Sequence, residues 1–235
     1  MLDVIQGLKN SLTRLAEVPF SAEAQLRRRG YNTIDELTAG CFAKVLVVES
    51  VHEEGRPRRI VKMPSSKISS VYGLNSDDPV FIYYLDRIQH ITTEREILES
   101  VREVDGIAQL VDSFEIRMWY DLLADIDADS MFDISEFNTP APVLVKEYIY
   151  GRDLGTCETI VGTKNQEVLR NAVRAIHERG YTIHDLRKEN IIITQEGKPF
   201  LVDVGFAKYY PNCTEEFQKE RDADLAAVKL FTTNS

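Results

Sequence analysis

The stretch YTIHDLRKENIIITQEGKPFLVDVGFAK, residues 181–208, combines two short apolar runs with a dense set of polar side chains. The runs IIIT and PFLV predict two buried strands, and QEGKP between them predicts a hairpin turn. Asp185 and Asn190 precede the first run, whereas Asp203 and Gly205 follow the second. Each residue taken alone is typical of turn chemistry, because Asp and Asn side chains bond nearby backbone. Together they place three oxygen-bearing side chains at the rim of one ribbon, and the rest of the chain determines their role.

The composition excludes several classes of protein. The chain has 235 residues and a formal net charge of −10, which argues against non-specific binding to nucleic acid or anionic membrane. The three cysteines form no C-x-x-C pair, so we expect a reducing compartment and neither a disulfide framework nor a cysteine zinc site. No apolar run approaches the about 20 residues that a membrane span needs, and the chain start lacks a signal-peptide pattern. These features predict a cytoplasmic protein.

The order of apolar patterns predicts an α+β chain, with strands and one helix first and a mostly helical half afterwards. Strands are expected at residues 41–50, 58–64, 107–120 and 142–150, and helices at residues 85–104 and 165–179. Two helices are expected within residues 1–30, and an acidic insert at 121–140 separates the third and fourth strands. No internal repeat is present.

Five motifs resemble those of the protein-kinase-like superfamily, and they follow one another along the chain in the order that is typical of that family. DLRKEN followed by DVG is similar to the catalytic loop and the metal-binding motif of that family. LTAGCFAKV (residues 37–45) stands where the glycine-rich loop is expected, and IVK and TTEREIL supply Lys62 and Glu94. VKEYIYGRDL (residues 145–154) resembles the hinge between two lobes. The resemblance covers residues 31–230.

The resemblance implies a bilobal fold with a five-stranded antiparallel N-lobe and a reduced, mainly helical C-lobe that lacks a long activation segment. We therefore predict three regions. They are a helical extension at 1–30, the N-lobe at 31–147 with its acidic insert at 121–140, and a minimal C-lobe at 148–235.

The resemblance also implies the residues that perform phosphoryl transfer from ATP with Mg²⁺. Asp185 would orient the substrate hydroxyl and accept its proton, and Arg187 would neutralise the transferred phosphoryl group. Asn190 and Asp203 would bind Mg²⁺, which prefers hard oxygen ligands.

Nucleotide binding is implied for residues of both halves. Lys62 would hold the α- and β-phosphates, and Glu94 would hold Lys62 through a charge-assisted hydrogen bond. Taken alone, Lys62 is more typical of a surface strand end, and Glu94 of a solvated helix face. The other implied nucleotide-binding residues are Thr38, Gly40, Ala43 and Val45 in the loop, Glu147 and Ile149 against adenine, and Asp153 against the ribose.

Four substitutions depart from the family pattern around the predicted base pocket. Thr38 and Ala43 replace two of the three loop glycines, which predicts a stiffer loop and weaker nucleotide binding. Ile60 stands where the family usually has alanine, and Lys146 precedes the hinge where an apolar residue is usual. Both predict a narrower or more polar base pocket.

The C-terminal half departs from the family in length. His184 replaces the arginine that normally receives an activation-loop phosphate, and only residues 206–220 separate Gly205 from RDADLAAVKLF. This last run resembles the buried helix whose aspartate, here Asp224, braces the catalytic loop. No A-P-E motif and no room for peptide-docking helices are present, so the chain is more similar to compact kinases of the RIO, KEOPS, lipopolysaccharide-core and minimal bacterial effector types.

The acidic insert contains DIDADSMFDISE, residues 125–136, with acids spaced as in an EF-hand loop. Ser130 stands where that loop needs glycine for its sharp turn, and no clear partner helix follows. We therefore expect a solvated acidic loop without calcium.

We predict an ATP- and Mg²⁺-dependent phosphotransferase, acting as a compact serine/threonine protein kinase. A small-molecule kinase acting on a sugar or lipid core is one alternative, because the peptide-docking region is missing. A pseudokinase that serves as a nucleotide-binding or docking module is another, although the complete set of polar residues argues against it. A protein substrate is expected, or a regulatory partner that docks on residues 2–15 or on the acidic insert, and no nucleic acid.

Overall fold

The computed structural model describes residues 21–39, 43–65, 80–118, 139–156 and 163–231. The predicted helix at residues 2–15, Gly40 of the loop and the calcium-like segment 125–136 lie outside these ranges. The helices are α1 (Ala22–Arg28), α2 (Val80–Ser100), α3 (Thr163–His177) and α4 (Glu215–Leu230). The strands are β1 (Tyr31–Ala39), β2 (Ala43–Ser50), β3 (Arg58–Pro64), β4 (Leu110–Met118), β5 (Thr139–Glu147), β6 (Gly151–Asp153), β7 (Tyr181–Thr182), β8 (Ile191–Thr194), β9 (Pro199–Leu201) and β10 (Lys208–Tyr209).

The chain divides into two compact units, residues 1–88 with 113–145, and residues 89–112 with 146–235. The predicted three-region division stays a prediction. The predicted fold class is confirmed, because the chain is α+β with a five-stranded antiparallel sheet, consistent with a compact kinase-like bilobal fold. Among the described residues, no helix is long and apolar enough to cross a membrane.

The first unit is built on the five-stranded sheet, in the order β1-β2-β3-β5-β4. Helix α1 begins at the N-cap Ser21, whose hydroxyl accepts a hydrogen bond from Ala24 N at 3.1 Å. It ends before Gly30, whose φ of 86° and closeness to the His52 ring leave no space for a side chain. Leu26 of α1 is buried together with apolar side chains of the strands, among them Tyr31, Leu46, Val61, Phe114 and Val143.

The second unit has a separate apolar core formed by its helices and short strands. Its buried members include Ile97, Leu98, Leu169, Val173, Ile176, Ile191, Leu201 and Val228. The predicted hairpin of the opening stretch is confirmed, since β8 pairs antiparallel with β9 and Ile191 lies opposite Leu201. Gly197 in its turn has a φ of 79°, which glycine adopts without strain. The hairpin therefore fixes the two ends where the predicted site residues lie.

Candidate active site

In the first unit, the sheet register brings three predicted nucleotide-binding residues side by side. Val45 on β2 lies directly opposite Lys62 on β3, and Thr38 on β1 lies opposite Val45 on its other side. Ala43 begins β2 and is buried. Lys62 is also buried, so it differs from the exposed strand-end lysine that its sequence position alone allows. The predicted contacts of these residues with nucleotide stay predictions.

The predicted hinge residues lie in the second unit. Glu147 forms two hydrogen bonds with the backbone of Gln109. The Glu147 backbone amide donates to the Gln109 backbone carbonyl at 3.0 Å, and the Glu147 carboxylate accepts from the Gln109 backbone amide at 2.9 Å. Ile149 follows β5 in a segment without regular secondary structure and is half-buried. These contacts fix the backbone at the start of the segment where the adenine edge was predicted to bind.

Asp153 at the end of β6 organises a local turn. Its two carboxylate oxygens accept hydrogen bonds from the Thr156 amide and the Thr156 hydroxyl, both at 2.8 Å. The hydroxyl bond is the main reason that the pKa of Asp153 lies below its usual value. Turn chemistry thus accounts for this carboxylate, and its predicted ribose contact stays a prediction.

The catalytic-loop residues are brought together by a 3-10 turn at Lys188–Asn190. The Asn190 side-chain amide donates to the Asp185 carbonyl at 2.8 Å and to the Asp185 carboxylate at 3.1 Å. Arg187 Nε lies 3.0 Å from the other carboxylate oxygen of Asp185. Asp185, Arg187 and Asn190 therefore form one cluster, with the Asp185 carboxylate oriented from both sides.

The hairpin places the metal motif beside this cluster. Val202 N donates to the Asn190 carbonyl at 3.0 Å, so the residue before Asp203 is bonded to the backbone of Asn190. The Asp203 carboxylate accepts from Gly205 N at 2.9 Å. A side chain at position 205 would lie 3.2 Å from the His90 carbonyl oxygen, which explains why glycine follows here.

Asn190 and Asp203 have a donor set that suits Mg²⁺. Because the Asn190 amide nitrogen is bonded to Asp185, the amide oxygen is the atom that it offers to a cation. One carboxylate and one amide oxygen are enough for Mg²⁺, which keeps several waters and binds substrate phosphates. Within the ranges that the structure describes, no group of three or more His, Cys, Asp or Glu side chains is placed to hold a metal ion.

Helix α4 braces the catalytic loop, as the resemblance predicts for Asp224. Its buried carboxylate accepts from Ile183 N at 2.8 Å and lies 2.8 Å from His177 Nε2 on α3. The backbone two residues before Asp185 is thus fixed to two helices of the second unit.

An ion pair that the sequence analysis did not predict lies next to the metal motif. Lys146 Nζ donates to Glu94 Oε1 at 2.5 Å and to the Val202 carbonyl at 2.6 Å. Both charged side chains are buried. The sequence contained one indication, because Lys146 stands where the family has an apolar residue. The predicted pairing of Glu94 with Lys62 stays a prediction.

A second ionic network surrounds His184. Its Nε2 lies 3.0 Å from the Glu220 carboxylate of α4, which also accepts from the Thr182 hydroxyl at 2.8 Å. Burial acts to raise the pKa of Glu220, but the neighbouring Tyr210 hydroxyl, the hydrogen bond from Thr182 and the charges of His184 and Lys208 outweigh it and lower the pKa. Position 184 is therefore partnered by a carboxylate of the same chain.

Comparison with known proteins gives weak matches to kinases. No family model matches the chain. It is 27% identical over 158 residues to the serine/threonine-protein kinase DBF20 of Saccharomyces cerevisiae, covering 62% of this chain and 22% of that protein. It is 28% identical over 130 residues to the cell cycle protein kinase DBF2 of Candida albicans, covering 52% of this chain and 15% of that protein.

A probable serine/threonine-protein kinase of Dictyostelium discoideum is 26% identical over 134 residues, covering 54% of this chain and 8% of that protein. The chain thus spans less than a quarter of the length of these curated relatives. At this identity and coverage, the matches support a protein-kinase-like chain and a kinase at a coarse level. The finer likeness to RIO or KEOPS types stays a prediction.

Proposed function

We propose that this chain is an ATP- and Mg²⁺-dependent phosphotransferase that acts as a compact serine/threonine protein kinase. The observation that carries the proposal is the hydrogen-bonded path from Asp185 through Asn190 and Val202 to Asp203. It joins a candidate base to two candidate cation ligands within one unit. The weak similarity to serine/threonine kinases supports the same activity.

Each residue of the path has a role that its contacts suit. Asp185 is held by Arg187 and Asn190, so its carboxylate is oriented to accept a proton from an acceptor hydroxyl. Asn190 and Asp203 would hold the cation through their side-chain oxygens. When bound, ATP supplies the phosphoryl group and Mg²⁺ neutralises its charge. Arg187, next to Asp185, adds positive charge where the phosphoryl group would be transferred.

A small-molecule kinase is the second candidate, and the path of the chain after the metal motif favours it. Residues 206–214 are fully described and contain β10, which pairs with β7, before α4 begins at Glu215. So short a connection contains no helix that would bind an extended peptide. A sugar or lipid-core hydroxyl would need no such surface, since its acceptor group is small.

Transfer of label from γ-labelled ATP with Mg²⁺ tests both candidates. The protein is incubated alone, with a generic protein substrate, and with a mixture of sugars and lipid-core glycans. Label on protein supports the protein kinase, and label on a glycan supports the alternative. Binding of ATP without any transfer would leave only a nucleotide-binding module.

Two variants identify the source of transfer. Asp185→Asn should reduce the rate at least about 100-fold, since it removes the proton acceptor. Asp222→Asn is the matched control, because Asp222 also lies beside an arginine but is 70% exposed on α4. Equal loss in both variants, or no loss in Asp185→Asn, would contradict the proposed role of Asp185.

A further inference from the structure

Lys146 is buried at the end of β5 and bridges two other segments of the second unit. Its ammonium group contacts the Glu94 carboxylate of α2 at 2.5 Å and the carbonyl of Val202, after β9, at 2.6 Å. The Lys146 side chain is 5% exposed and that of Glu94 is 1% exposed. A lysine and a carboxylate are thus both removed from water.

Burying such a pair is a poor way to stabilise a fold. The loss of hydration is large for each charge, and apolar side chains of similar volume often stabilise the same position equally well or better. The family-typical apolar residue at position 146 would therefore suffice for packing. A charged bridge at this position is better explained by the geometry that it imposes.

The geometry concerns Val202, which directly precedes one predicted metal ligand, Asp203, and is hydrogen-bonded to the backbone of the other, Asn190. Lys146 fixes the carbonyl of Val202, while the amide of Val202 donates to the Asn190 carbonyl at 3.0 Å. Asp203 is the next residue, and its carboxylate is bonded to Gly205 N. Val202 is thus held from both sides, and its position determines the separation of Asn190 from Asp203.

Glu94 also lies next to Gly205, at the other end of the segment that contains Asp203. Its second carboxylate oxygen borders Gly205, where an added Cβ would lie 3.4 Å from it. His90, one turn earlier on α2, places Nδ1 3.0 Å from the Gly205 carbonyl, which accepts a hydrogen bond from it. The segment 202–205 therefore contacts α2 directly and through Lys146.

We propose that Lys146 is a positioning residue that sets the spacing of Asn190 and Asp203 for the divalent cation. It acts through the backbone of Val202 and is not itself a cation ligand. The inference rests on the proposed function, because it takes these two residues as the cation ligands. A bridge that served stability alone would leave cation affinity unchanged when it is removed.

The test measures cation affinity directly, with Mn²⁺ as the probe and AMP-PNP, an ATP analogue that is not hydrolysed. Mn²⁺ is titrated into the full chain with AMP-PNP while free Mn²⁺ is followed by electron paramagnetic resonance. The same titration of AMP-PNP without protein gives the Mn²⁺ that the nucleotide binds in solution, and this amount is subtracted. Lys146→Met should weaken Mn²⁺ binding about 10-fold or more, as expected when a residue that orients a metal ligand is lost. AMP-PNP affinity without metal should change much less.

Lys198→Met is the matched control. Lys198 also pairs with a carboxylate in this unit, Asp105 at 2.5 Å, but both side chains are exposed. Its Mn²⁺ affinity should equal that of the wild type. Lys146→Gln keeps a neutral hydrogen-bond donor and replaces Lys146→Met in the assay if the methionine variant does not fold. The Mn²⁺ affinity of Lys146→Gln should be lower than that of the wild type.

The outcomes separate the inference from the proposed function. Wild-type binding that persists unchanged in the folded Lys146 variants, with only a lower melting temperature, overturns the inference and leaves the function standing. Absence of Mn²⁺ binding by the wild type overturns both. A selective loss in the Lys146 variants, with Lys198→Met unchanged, supports the positioning role.

Discussion

Two ion pairs of the second unit combine similar charges in different surroundings. Lys146 and Glu94 lie 2.5 Å apart with side chains 5% and 1% exposed. His184 and Glu220 lie 3.0 Å apart with side chains 41% and 24% exposed. Water can compensate for a broken bond in the second pair but not in the first. We therefore expect the buried pair to constrain the backbone beside it more strongly than the exposed pair does.

The two pairs also hold different parts of the candidate site. Lys146 reaches the backbone before Asp203, whereas His184 directly precedes Asp185 in the catalytic loop. At position 184 the kinase family has an arginine that pairs with a phosphate, and here the partner is the Glu220 carboxylate. The negatively charged partner at this position is thus a carboxylate of the same chain.

Breaking the buried pair should have the largest effect on stability. Lys146→Met leaves the Glu94 charge buried without this partner, and Glu94→Leu does the same to Lys146. Each single variant should lose about 3–5 kcal/mol of unfolding free energy. The double variant should lose clearly less than the sum of the two single losses, since neither charge of this pair remains. Urea denaturation of all four proteins measures this, and additive losses in the double variant would contradict the account of the pair.

Asp224 offers an intermediate case, a buried carboxylate with one backbone and one histidine partner. Asp224→Ala should cost about 3 kcal/mol, because Ile183 N and His177 lose a charged acceptor. Asp222→Ala, two residues earlier and exposed, should change stability by less than about 0.5 kcal/mol. Denaturation midpoints of the two variants that coincide would show that Asp224 does not brace the loop.

The exposed pair should contribute less, and its contribution should depend on pH. Glu220→Gln should cost less than about 1 kcal/mol at pH 7. Because the pKa of Glu220 is lowered in the fold, its stabilising charge is present above its ordinary pKa of 4.5 and is lost as the pH falls through the lower folded value.

Thermal unfolding of the wild type and Glu220→Gln at several pH values measures this dependence. The difference between them should shrink as the pH falls below about 4, although His184, Lys208, Tyr210 and Glu216 share the same network. A difference that grows with acidity would reverse the sign of the predicted linkage.

Removal of phosphate from the protein is expected to have no effect on the rate of transfer. Because Glu220 already partners His184, and the segment after Gly205 is short, activity should not require a phosphate on this chain. Phosphatase-treated protein should keep its full rate of transfer. A rate that falls on dephosphorylation and returns on autophosphorylation would contradict this, and Ser65 and its neighbours would then be examined for the modified residue.

The apolar patterns of the sequence predicted much of the fold. The hairpin β8–β9, the strands β2 and β3 and helix α3 lie where alternation and helical spacing placed them, because each has one face in a core. Ends were less accurate: α2 begins at Val80 rather than at residue 85, and β5 at Thr139 rather than at residue 142. The three-residue β6 and the two-residue β7 and β10 are too short to produce a pattern.

The candidate site was predicted in part, and the misses have a physical reason. Asp185, Arg187 and Asn190 meet because they are near in sequence and one turn orients them. The Lys146–Glu94 contact joins residues on a strand and a helix, and no local pattern encodes it. The ribose contact that the resemblance implies for Asp153 stays a prediction, and its carboxylate also caps a turn with Thr156.

The most direct test of the central claim is the change in melting temperature caused by ATP with Mg²⁺. Binding to the folded chain raises the melting temperature by mass action. The wild type should show a clear rise at millimolar ATP with Mg²⁺, and Lys62→Ala and Asp203→Asn should each weaken it, while Lys198→Met should not. No rise in the wild type at millimolar ATP would contradict the account.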